Sequence, residues 1–76
     1  MASKAFVLIE TDVGKSKAVA DVLRKLEGVD SVDIVTGPYD VIAVIRRENL
    51  NEVGKLIAAK IHSVPGISRT VTCLAI

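Results

Sequence analysis

Two five-residue runs, Ala5-Phe6-Val7-Leu8-Ile9 and Val41-Ile42-Ala43-Val44-Ile45, are apolar at every position. A half-buried strand alternates apolar and polar residues, so an unbroken apolar run rich in β-branched residues predicts a strand covered on both faces. Few folds can give two strands that protection within 76 residues. After each run the periodicity becomes helical. Within residues 15–27, Val19, Val22, Leu23 and Leu26 recur at i, i+3, i+4 and i+7, which predicts one apolar stripe, with Gly28 as a left-handed stop. Asn49 and Glu52 have the spacing of a helix N-cap and its capping-box partner. Leu50, Val53, Ile57 and Ile61 then predict the inward face of a second helix, which Val64-Pro65-Gly66 ends. Gly54 inside it costs about 1 kcal/mol relative to alanine, so close packing against a strand is expected there.

Residues 29–36 and 67–76 read as more polar strands. Val32, Ile34 and Thr36 share one face of the former, and the exposed-looking Asp30 and Asp33 suit a sheet edge. In the latter, strict alternation puts Ile67, Val71, Cys73 and Ala75 on one side and Ser68, Thr70, Thr72, Leu74 and Ile76 on the other. The order is β-α-β-β-α-β with a faint internal repeat, each half carrying a glycine-aliphatic step, Gly28-Val29 and then Gly66-Ile67. Two interleaved right-handed crossovers give a ferredoxin-like α+β sandwich, a four-stranded antiparallel sheet with two helices on one face and the first and third strands central. Two helices cover only one face of such a sheet. The bare apolar face predicts a homodimer packed sheet against sheet.

Composition agrees with that expectation. Half of the residues are apolar, a large share for one small domain spanning residues 1–76. The single cysteine, Cys73, allows no internal disulfide, and no Cys/His cluster suggests a metal. A formal charge of +1 with interspersed signs, and only Arg24-Lys25 and Arg46-Arg47 as adjacent basic pairs, argues against a nucleic-acid or membrane surface and reads as a solvated face. Met1-Ala2-Ser3-Lys4 precedes no leader-like core, and no apolar run approaches the roughly 20 residues of a membrane span, so a cytoplasmic protein is expected.

The chemistry concentrates in Val35-Thr36-Gly37-Pro38-Tyr39-Asp40-Val41, which holds the only tyrosine and an acid placed before the third strand. A β-turn between two antiparallel strands explains these residues without a ligand. If a ligand does sit there, Asp40, the turn N–H groups and the Tyr39 ring are the groups on offer. Elsewhere His62 reads as a helix C-terminal residue and Cys73 as a small core residue. No nucleophile elbow, phosphate loop, metal spacing or CxxC pair is present, and one Phe with one Tyr is too few for an RNA-binding sheet. The expectation is a protein that is not an enzyme and needs no cofactor. A small dimeric α+β-barrel enzyme would need a roomier, more aromatic pocket.

The turn, together with Val64-Pro65-Gly66-Ile67 and Thr70-Val71-Thr72, resembles the effector-binding (RAM) domain of Lrp/AsnC transcription regulators over essentially the whole chain. The resemblance implies sheet-to-sheet dimers that form rings, with amino-acid effectors in clefts between dimers. It implies Gly37, Tyr39 and Asp40 as effector contacts, and Thr70 and Thr72 as contacts from the last strand across an interface. Family regulators carry a helix-turn-helix before this domain, whereas here the first strand starts near Lys4. A stand-alone module is therefore expected, one that binds no DNA itself and either senses an effector alone or co-assembles with a full-length regulator.

Overall fold

The computed structural model describes residues 2–76; Met1, the start of the stretch inspected for a leader, lies outside them. The elements are β1 (Ser3–Thr11), α1 (Ser16–Arg24), β2 (Val29–Ile34), β3 (Val41–Arg47), α2 (Leu50–Leu56) and β4 (Ile67–Leu74), with a π-helical turn, Ile57–Ile61, continuing α2. All three strand pairings are antiparallel, in the order β2-β3-β1-β4. The expected ferredoxin-like sandwich forms, and the two fully apolar runs are its central strands.

Register explains the core. Ala5, Val7 and Ile9 pair with Ile45, Ala43 and Val41. These six are fully buried in one cluster with Val19, Ala20 and Leu23 of α1 and Val53 and Leu56 of α2, so both helices lie on this face. The opposite face shows Phe6 beside Val44 and Leu8 beside Ile42 and Val71. All five are only half-buried in the single chain. Lys4, its Nζ 5.1 Å from the centre of the Phe6 ring, and the Glu10–Arg69 pair at 3.2 Å place charge around this apolar centre.

Several sequence expectations shift. α1 ends at Arg24 rather than near Glu27, because i→i+3 bonds from Lys25 N–H to Val22 O and Leu26 N–H to Leu23 O, both 3.1 Å, tighten its exit. Gly28, at φ 94°, then turns the chain beyond the helix. Ala20 takes the inward place expected for Val22, which is 41% exposed. Leu50 is 56% exposed, and Leu56 replaces it in the core. A Cβ on Gly54 would meet no side chain or strand within 4 Å, so the expected close packing on a strand does not occur. β2 stops at Ile34, which overhangs the helical layer and is 48% exposed.

A bulge in β4 corrects the alternation there. Glu10 pairs with Arg69 but Thr11 with Ile67, which leaves Ser68 as the extra residue, its hydroxyl donating to Glu10 O at 3.0 Å. Ile67 is thereby turned to the helical side, where it packs on the core. Thr70, Thr72 and Leu74 stand opposite Ile9, Val7 and Ala5, hence also on the helical side. The open face therefore receives Val71 and Cys73. Cys73 is exposed rather than a core residue.

The internal repeat is structural. The carbonyls of Gly28 and Gly66 accept bonds, both 2.8 Å, from Arg46 N–H and Asp12 N–H, at the ends of β3 and β1. Each glycine has positive φ and lies against the opposite half. A Cβ on Gly66 would sit 3.0 Å from Lys15 Cβ and 3.1 Å from Val19 Cγ2.

Candidate functional site

The 35–40 segment is a loop wider than a two-residue hairpin turn, closed by a 2.9 Å bond from Val35 N–H to Asp40 O. Gly37 adopts φ 127° with open space around it, so glycine is needed for conformation and not for room. Pro38 is exposed and Tyr39 half-buried. Asp40 ties the loop to the sheet: its N–H donates to Ile9 O at 2.9 Å, and its Oδ2 accepts from Thr11 N–H at 2.8 Å. The Thr11 and Ser16 hydroxyls lie 3.0 Å apart beside this bond. Asp40 is thus partly a structural residue, and its Oδ1 has no hydrogen-bond partner among the described residues.

The two threonines occupy the other edge. The half-buried Thr70 has its Oγ1 3.3 Å from His62 Nε2, and Thr72 is exposed. Val41, Ile9 and Thr70 form one row across β3, β1 and β4. The loop and the threonines therefore flank β1, about 10 Å apart at two strand spacings. The five residues fall into two separate groups with β1 between them: the loop precedes β3, and on β4 Thr70 stands level with Val41 while Thr72 lies further along, level with Ala43.

Sequence reasoning does not anticipate two of these contacts. Thr11 is legible only as the end of a strand, and its N–H meets Asp40 where the bulge begins. His62 is readable from its place on the helix alone, and only the π-turn and the β4 register put it beside Thr70. Among the described residues no group of three or more His, Cys, Asp or Glu can hold a metal ion, and no helix is long and apolar enough to cross a membrane.

Comparison with known proteins bears on this geometry. The family model of the Lrp/AsnC ligand-binding domain matches residues 4–76. An uncharacterised HTH-type transcriptional regulator of Pyrococcus furiosus is 36% identical over 78 residues, covering 99% of this chain and 52% of the relative. The chain thus spans about half the length of the curated relatives it matches. A crystal structure from Thermus thermophilus superposes with a TM-score of 0.92 at 35% identity, covering 97% of this chain and 92% of that one. A feast or famine regulatory protein of M. tuberculosis, complexed with L-methionine, shares the fold at a TM-score of 0.81 and 21% identity, covering 97% of this chain and 50% of that one. With the βαββαβ order in place and the family model matching residues 4–76, the chain belongs to the Lrp/AsnC ligand-binding domain family.

Proposed function

We propose that this domain senses a free amino acid and couples it to assembly. In this reading the chain forms homodimers through its open sheet face, and the dimers associate into a ring. Gly37, Tyr39 and Asp40 of one chain meet Thr70 and Thr72 of another to enclose the effector. The observation that carries it is the separation of the loop from the β4 threonines by β1, which supports a site completed by a second copy. The apolar centre and charged surround of the open face fit the anatomy of a protein interface. The L-methionine bound to the M. tuberculosis relative supports an amino acid as the effector class. Asp40 Oδ1 is free to accept from an α-ammonium group while Oδ2 holds Thr11.

A second reading keeps the fold and changes the role. Because the relatives are HTH-type regulators that carry this domain, it can co-assemble with a full-length regulator of the family and alter its response. Both readings place it in the cytoplasm.

The test is a thermal-shift screen against the common amino acids. A ligand at 100 times its dissociation constant adds about 2.7 kcal/mol when it binds only the native state. Asp40→Asn is the informative variant, since an amide oxygen can still accept from Thr11 N–H while the charge is lost. A selective shift in the wild type that disappears in Asp40→Asn supports the sensor. Absence of any shift removes the sensing reading and leaves co-assembly.

A further inference from the structure

An open groove lies away from the loop and the threonines, between the exit of α1 and the length of α2. Its volume is about 480 Å³, within the range of small-molecule sites. Arg47, at the end of β3, lines it. A Cβ on Gly28 would sit 2.6 Å from Arg47 Cδ and 3.0 Å from Nη1, so the arginine lies flat on the glycine backbone. This seat leaves the Arg47 side chain only 29% exposed. Its one acidic neighbour is Glu27, at a long 3.6 Å, whose own side chain is 94% exposed. Among the described residues the guanidinium makes no hydrogen bond, although it carries five N–H donors in a rigid fork. No unpaired side-chain nitrogen is buried among the described residues, so these donors are open to solvent and can be taken by a ligand.

The surroundings add positive charge. Lys25, Lys55 and Lys60 line the same groove, and the only acids there are Glu27 and Glu52. Glu52 is already engaged by Lys55 at 3.3 Å. Four bases thus face two acids, and Leu26 and Leu56 give the groove an apolar wall. We propose that this groove is a binding site for a small organic anion, whose carboxylate or phosphate group takes the Arg47 fork while a short carbon chain lies on the two leucines. Lys25 and Lys60 draw in and hold the charge. The site is independent of the amino-acid reading, since it shares no residue with the loop or with β4.

The experiment follows the Leu26 and Leu56 methyl resonances of the full chain during titration with inorganic phosphate and, separately, succinate, with ionic strength held constant by chloride. Saturable shifts confined to these methyls are expected with at least one probe, and whichever saturates identifies the preferred oxyanion. Arg47→Gln should weaken binding at least about tenfold, the loss of a charge-assisted bidentate contact. The double variant Lys25→Gln/Lys60→Gln leaves the Gly28 seat untouched and should weaken binding several-fold, so it carries the test if Arg47→Gln does not fold. Absence of saturation with both probes, or affinities unchanged in every folded variant, overturns the proposal. Loss of amino-acid binding in Asp40→Asn with phosphate or succinate binding intact would confirm that the two sites are separate.

Discussion

Gly54 and Gly66 make opposite demands on the same side-chain-free residue. Gly54 sits in α2 with ordinary φ and no side chain or strand within 4 Å of an added Cβ, so its only effect is the entropy it leaves in the unfolded chain. Gly54→Ala should raise unfolding stability by about 0.5–1 kcal/mol in urea titration. Gly66 has φ 96° and would press a Cβ against Lys15 and Val19. Gly66→Ala should cost at least about 1–2 kcal/mol, the left-handed penalty alone, before any crowding. Asp40 yields a similar contrast. Asp40→Ala leaves the part-buried Thr11 N–H without its acceptor and should cost about 1–3 kcal/mol, whereas Asp40→Asn should cost clearly less. The Lys17 hydrogen bond, with the nearby Lys17, Arg24 and Lys25 charges, holds the Asp21 carboxyl below the ordinary aspartate value. A depressed folded-state value means that its small contribution is present above the unfolded aspartate range and is lost as pH falls through the folded one. A side-chain titration by NMR should show that depression shrinking with added salt.

At the scale of elements, most of the fold was legible because burial forces periodicity. The two unbroken apolar runs gave the central strands, and Asn49 does cap α2, accepting from Glu52 N–H at 3.0 Å. What was not legible were changes of phase, where one extra residue reverses the pattern downstream. The β4 bulge at Ser68 is one, and it moved Ile67 from the face of Val71 to the core side. The π-turn is another irregularity unseen in the sequence, although Ile61 does take the inward place expected for it. In an uninterrupted α-helix, at about 100° per residue, Lys60 would fall about 20° from Val53 and Ile61 about 80°. The wider turn, with His62 N–H bonded to Ile57 O at 2.9 Å, brings Ile61 inward to full burial and leaves Lys60 exposed. Ile61→Ala should therefore cost about 2–5 kcal/mol. Leu50→Ala, at the other end of the expected stripe but 56% exposed, should cost within about 0.5 kcal/mol. Equilibrium denaturation of both variants checks the phase directly. The candidate site was legible in its residue types, through the family motif, but not in its layout, because its halves lie on different strands and their separation depends on register.

At the scale of the whole molecule, the division of Gly37, Tyr39 and Asp40 from Thr70 and Thr72 matters most. The open face of Phe6, Leu8, Ile42, Val44 and Val71 should hold the dimer, and a charge placed at its centre, Val44→Lys, should lower the mass seen by light scattering while far-UV circular dichroism is retained. Subunit complementation, followed calorimetrically with the amino acid that the thermal screen selects, decides whether two copies share one site. Asp40→Asn chains and Thr70→Val/Thr72→Val chains should each fail to bind. Mixed one to one and reassembled, they should regain about a quarter of the wild-type sites, because random pairing of a sound loop with sound threonines from another chain restores that share. If the wild type binds and the mixture regains nothing, the site lies within one chain and the proposed division between copies is wrong.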